Sequence, residues 1–224
     1  MTGSTTTAFC TSAKQQLMQG QHNLSAQVTP TGTPTNTAFT ATSMSSVAGI
    51  SVGDPISGTN IPAGAVVASI DSSSQITFSK AATGSPGSVT LTINGDTFAF
   101  ALIKNACTGT YGAASTNYSN ITGNSDEVSG TGYVAGGYVW AVTSPTGPTT
   151  SGTTAYASFG ANPTWTSATI DCQGGMLYNQ SNRGAGANAA LAVEDFGGEQ
   201  KVTAGTLTVL LPTNDSTHAI LRLQ

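Results

Sequence analysis

Phe98-Ala-Phe-Ala-Leu-Ile-Lys104 is the stretch from which the fold is read. Phe98, Phe100 and Leu102 fall on one side of an extended chain, Ala99, Ala101 and Ile103 on the other. Both sides are apolar, which predicts a central strand covered on both faces. Just before it stands Asn94-Gly95, a tight-turn signal. Further back, short strands are expected near Ala38–Ala41, Ala65–Ile70, Gln75–Ser79 and Ser88–Ile93, with turn clusters such as Gly53-Asp-Pro55 and Gly58-Thr-Asn60 between them. Val28-Thr-Pro-Thr-Gly-Thr-Pro34 reads as a linker leading into this set. Beyond the central strand, others are expected near Tyr133–Val142, Thr154–Phe159, Thr169–Ile170, Met176–Tyr178, Ala189–Val193, Thr206–Leu211 and Ala219–Leu223.

One helix is expected near the N-terminus. Phe9, Ala13 and Leu17 recur on a single face, Thr6 or Thr7 is placed to cap its start, and Gly20 to cap its end. The fold class is therefore all-β: a β-sandwich or jelly-roll-like domain with one short N-terminal helix and an inserted small β domain. The main domain comprises residues 1–26 plus 96–224, and residues 27–95 form the insert, a small sandwich of its own.

Composition agrees with many short strands. Charged residues make up 7% of the 224, against roughly 25% in ordinary soluble domains. Apolar residues make up 38% and cluster in short runs, which separates a folded chain from a disordered one. A net charge of −4 with six scattered Lys and Arg leaves no basic stripe for nucleic acid. No apolar run approaches the roughly 20 residues that cross a bilayer, and the Met1-Thr-Gly-Ser start lacks a signal-peptide pattern, so synthesis and first assembly in a cytosol are expected. Cys10, Cys107 and Cys172 lie far apart without CxxC spacing and read as buried hydrophobes.

Four pieces of the main domain bear a resemblance together. They are Gln21-His-Asn-Leu24, Glu127-Val-Ser-Gly-Thr-Gly-Tyr-Val-Ala-Gly-Gly137, Pro163-Thr-Trp-Thr166 running on to Met176-Leu-Tyr-Asn179, and Asp195-Phe-Gly-Gly198 followed by Val202-Thr-Ala-Gly205. In this order the chain resembles a family of small virion structural proteins of tailed bacteriophages. The insert, with Gly49-Ile-Ser-Val-Gly53, Ile61-Pro-Ala-Gly64 and Ile76-Thr-Phe-Ser79, resembles a β module of phage surface and fibre proteins. What the resemblance implies is a place on the virion, with capsid decoration (cementing) as the preferred role. That role implies the major capsid protein as partner, a homotrimer on the lattice, and a polar lead at residues 1–7 free to act as an arm. A tail, neck or fibre-associated protein is the alternative, and a carbohydrate-binding surface module a third.

No catalytic, cofactor or metal site is expected. Adjacent carboxylates in Asp126-Glu127 and Glu194-Asp195 point to opposite faces of a strand and read as solvated turns. His22 and His218 lack metal spacing, and His22 is placed where a cation suits a helix C-terminus. Gly174-Gly175 and Gly197-Gly198 read as hairpin glycines, and no GxSxG elbow supports a hydrolase. Trp165, Tyr133 and Tyr138 are the candidate interface residues, with Trp140 and Tyr178 as further aromatics divided between core and contact.

Overall fold

A computed structural model of the chain describes residues 3–140 and 148–223. It is mostly β, as expected. The first elements are β1 (Ser4–Thr5), β2 (Ala8–Phe9) and α1 (Thr11–Met18). Then follow β3 (Thr31–Pro34), β4 (Thr40–Thr42), β5 (Pro55–Gly58), β6 (Ala65–Ser72), β7 (Gln75–Phe78) and β8 (Val89–Ile93). After them come β9 (Phe98–Lys104), β10 (Thr110–Tyr111), a single turn α2 (Ser119–Thr122) and β11 (Tyr138–Val139). The last are β12 (Thr149–Ser151), β13 (Thr154–Ala157), β14 (Thr164–Asn179), β15 (Ala189–Thr208) and β16 (Leu221–Leu223).

The chain divides into two compact units, one built from Met1–His22, Thr97–Ala141 and Thr149–Gln224, the other from Asn23–Asp96 with Val142–Pro148. The larger unit is organised by a five-stranded sheet in the order β11-β9-β14-β15-β2. There β9 pairs on both edges, and Phe98 through Ile103 are all buried, as alternating apolar residues on both faces require. Two expected strand pairs merge: Thr169–Ile170 with Met176–Tyr178 into β14, and Ala189–Val193 with the first half of Thr206–Leu211 into β15, which ends at Thr208. Of the strand expected over Tyr133–Val142, only β11 forms among the described residues, and its last two positions lie outside them.

The glycine pairs are not hairpin corners. Gly174 and Gly175 lie inside β14, where a Cβ on Gly175 would stand 2.2 Å from the Phe100 ring. Gly197 and Gly198 sit in a bulge of β15, where Phe196–Glu199 stand opposite the single residue Gln173. The helix is shorter than expected. Cys10 is its N-cap and forms no side-chain cap bond, while Phe9 belongs to β2 and the Thr7 hydroxyl accepts the Asp195 N–H at 2.9 Å instead. Its end does carry the glycine cap: Gly20 has φ +68°, with Gln21 N–H donating to Gln16 O and Gly20 N–H to Leu17 O. The lead is held as well, since Ser4 and Thr5 pair with Thr110 and Tyr111 in β10.

The smaller unit is a closed six-stranded barrel in the order β3-β4-β7-β6-β5-β8, rather than a sandwich. Two of its strands come from segments without strand character in the sequence. Thr31–Pro34, in the expected linker, closes the barrel between β4 and β8, and Pro55–Gly58 lies among turn residues. Gly32 makes closure possible, because a Cβ there would stand 2.5 Å from Met44 Sδ. Ile56, Val67, Ile76, Phe78, Leu91 and Ile93 fill the barrel. Entry and exit chains run side by side. Asn23 N–H donates to Asp96 Oδ2 at 2.7 Å, Asp96 N–H returns to Asn23 O at 3.1 Å, and Val28 bridges Ile93. Asn94-Gly95 is part of this clasp and makes no hairpin; a Cβ on Gly95 would lie 2.0 Å from Ser25 O.

Candidate functional site

Asp126 and Glu127 follow one another on an extended segment bridged to Ile103, so their side chains diverge. The divergence expected from sequence holds, but neither is a solvated turn residue. Asp126 has no exposed side-chain surface. Its carboxylate accepts from the Tyr111 hydroxyl at 2.6 Å, Gly109 N–H at 2.7 Å and Thr108 N–H at 2.9 Å, and pairs with Lys104 Nζ at 3.2 Å. Burial alone would raise its pKa. The donors, Tyr111 foremost, outweigh that and hold it down to about 2.

Glu127 is gripped on the other side. Its Oε1 accepts from the Tyr133 hydroxyl at 2.9 Å and from Gly136 N–H at 2.6 Å, and its Oε2 from the Tyr118 hydroxyl at 2.5 Å. Tyr133 in turn accepts Leu102 N–H at 3.0 Å, which fixes the segment on β9. Tyr118 stacks on Tyr178 at 4.6 Å, and the Tyr178 hydroxyl donates to Gly136 O at 2.8 Å. Burial first, and Glu127 second (through its hydrogen bond at Tyr118 and its charge at Tyr133), raise the pKa values of both phenols. Both phenols donate to the Glu127 carboxylate.

The aromatic candidates lie next to this cluster. Trp165 is 6% exposed, between Tyr133 at 5.9 Å and Tyr138 at 6.4 Å. Tyr138 meets Trp140 edge-on at 5.5 Å, and Trp140 stacks on Phe159 at 4.5 Å. Tyr133 and Tyr138 are half-buried. Trp165, the residue chosen from sequence as the readiest contact, thus spends its ring on the core. On the same sheet opens an apolar groove of about 380 Å³, lined by Phe100, Trp140, Leu177, Phe196, Leu207 and Ile220, with Glu194 among the other residues at its wall. Glu194 is half-buried, and desolvation raises its pKa. Neighbouring Asp195 is bonded to Thr5 at 3.0 Å, so this pair too lies within β15 and not in a turn.

His22 is buried and serves as a structural joint. The Asn179 Oδ1 accepts Ser181 N–H at 2.8 Å, so its Nδ2 faces His22 Nδ1 at 2.8 Å as donor. The imidazole proton is then on Nε2, 3.0 Å from Gln16 Oε1. His218 lies in an exposed turn with Asp215, 2.9 Å away. All three cysteines are buried and free, and burial pushes Cys10 up to about 11 and Cys172 up to about 12. Among the described residues no group of three His, Cys, Asp or Glu is placed to hold a metal, and no helix is long and apolar enough to cross a membrane.

Sequence reading missed the two carboxylate anchors because it assigned adjacent acids to solvent. The usable signal was the Tyr and Gly that follow Glu127, whose spacing returns a phenol and a backbone N–H to it. Comparison with protein-family models, with characterised proteins and with solved structures finds no match for this chain.

Proposed function

We propose that this protein is a structural component of a tailed-bacteriophage virion, and specifically a capsid decoration protein that binds the major capsid protein lattice and braces it. The observation that supports this most is that the four segments carrying the resemblance converge on β14. Asn179 binds His22, Tyr178 binds Gly136, Trp165 packs on Tyr133, and Gly174, Ile170 and Ala168 pair with Asp195, Val202 and Gly205. Motifs scattered along a chain that meet on one strand behave as the joints of a common scaffold. In this reading the sheets of the larger unit form a jelly-roll-like sandwich, and the clasped barrel is an outward embellishment. Phenols and thiols kept protonated by burial favour a non-catalytic role.

The test is the copy number of this protein relative to the major capsid protein in purified virions, by quantitative mass spectrometry. Hundreds of copies per particle is the expected result for a lattice-wide decoration protein. A count of roughly three to twelve, the scale of one portal or tail symmetry, moves it to the neck or tail. Absence from the particle overturns the virion reading.

A further inference from the structure

The outer half of β15 runs past the sheet as one side of a two-stranded ribbon. Along Gln200–Thr208 its partner is β14. β2 covers the opposite edge only at Ala192 and Val193. Val209 N–H donates to Pro163 O at 2.9 Å and Leu211 N–H to Asn162 Oδ1 at 2.9 Å, so the odd-numbered residues here turn their backbone groups toward β14. By alternation Thr206, Thr208 and Leu210 turn theirs outward. Among the described residues nothing pairs with that edge.

Free edges of this kind are normally blunted with charge, above all Lys. This one is not: from Val202 to Asn214 there is no charged residue. Its limits are set instead by backbone features. A bulge opposes Thr203 and Ala204 to the single residue Thr169, with Ala204 at φ +48°, and Pro212 ends the run at the other side. What lies between is an edge that carries Thr206 and Thr208, the last residue of β15, and runs on to Leu210, 78% exposed.

We propose that a second copy of this chain adds to this edge, antiparallel, with Thr208 on the two-fold axis. Thr208 then faces Thr208 of the second copy, and Thr206 faces Leu210 in both directions. About six inter-chain backbone hydrogen bonds form from the outward groups of three residues on each side. Neutrality makes the edge self-complementary, because no like charges meet across the axis. A basic or acidic partner strand would find no counter-charge here, whereas a second copy of the same neutral edge brings no charge that lacks a partner. The contact closes after two copies, in place of the trimer expected from the decoration reading, and does not depend on that reading.

Sedimentation or light scattering across a micromolar concentration series, with three variants, tests this. Wild type is expected to dimerise. Thr208→Cys places two thiols about 5.5 Å apart between Cα atoms, so a disulfide-linked dimer forms under mild oxidation, while Met18→Cys, 82% exposed elsewhere, gives none. Thr208→Lys sets two charges on the axis and raises the dimer dissociation constant about tenfold or more. Thr208→Pro does the same by removing the central N–H, which β14 does not use. Unchanged circular dichroism and melting of both variants at low concentration establish that the monomer is intact. A wild type that stays monomeric throughout overturns the proposal and leaves the edge to an extended segment of a different protein. A dimer that persists in Thr208→Lys, or a Thr208→Cys that does not cross-link, overturns it too.

Discussion

Asp126 shows how one buried carboxylate can organise a loop. Its donors come from Thr108, Gly109, Tyr111 and Lys104, so its charge ties the turn after β9 to β10. Its folded pKa, about 2, lies below the ordinary value of 3.8. The stabilisation is therefore complete above about pH 4 and is lost as pH falls through 2. We expect the stability advantage of wild type over Asp126→Asn, from urea titrations, to shrink by on the order of 2 kcal/mol between pH 5 and pH 2. A constant difference would show that the charge contributes nothing. In the barrel, Asn23 has a comparable place: its Nδ2 donates to the buried Asp54 carboxylate at 2.8 Å while its backbone grips Asp96. Asn23→Ala is expected to cost about 2–3 kcal/mol, as loss of a hydrogen bond to a buried charge does, read as a lower urea midpoint. Neither anchor was legible beforehand, because the burial of an acid depends on which distant N–H groups arrive around it.

At the scale of elements, the glycines of the two long strands have opposite reasons for being glycine. Gly175 has no room: a Cβ would enter the Phe100 ring on the neighbouring strand. Gly197 has room but needs φ +75° in its bulge. Gly175→Ala is expected to destabilise by about 1–3 kcal/mol through overpacking, and combining it with Phe100→Leu should recover part of that loss. Gly197→Ala should cost only about 1 kcal/mol, the strain of a left-handed backbone, with no rescue by any neighbour. Thermal melts of the three variants separate the two mechanisms. Strand β9 was readable from its alternation alone. The lengths of β14 and β15 were not, since bulges and interior glycines look like turn signals until their partners are known. Helix α1 was found from its periodicity and its end from Gly20, yet its N-cap was misplaced: Thr7 was drawn away to Asp195, a residue remote in sequence.

Across the whole molecule, two sets of buried residues form inside two compact units. Phe78 is fully buried in the barrel, and Phe78→Ala should cost about 3–5 kcal/mol. Hydrogen exchange is expected to accelerate through β3–β8 in that variant, and unchanged exchange there would contradict the role of Phe78 in that core. The sequence by itself determined the all-β class, the central strand at residues 98–104, the helix near the N-terminus and the burial of three cysteines. Each of these depends on local periodicity, turn chemistry or composition, which are properties of neighbouring residues. Only the tertiary structure decided that Thr31–Pro34 is a barrel strand, that Trp165 is core, that Asp126 and Glu127 are anchors, and that the outer half of β15 has one edge without a partner among the described residues. Those depend on pairing between residues far apart in the chain, where the free energy of a strand edge or a carboxylate is set by what arrives beside it and not by what adjoins it.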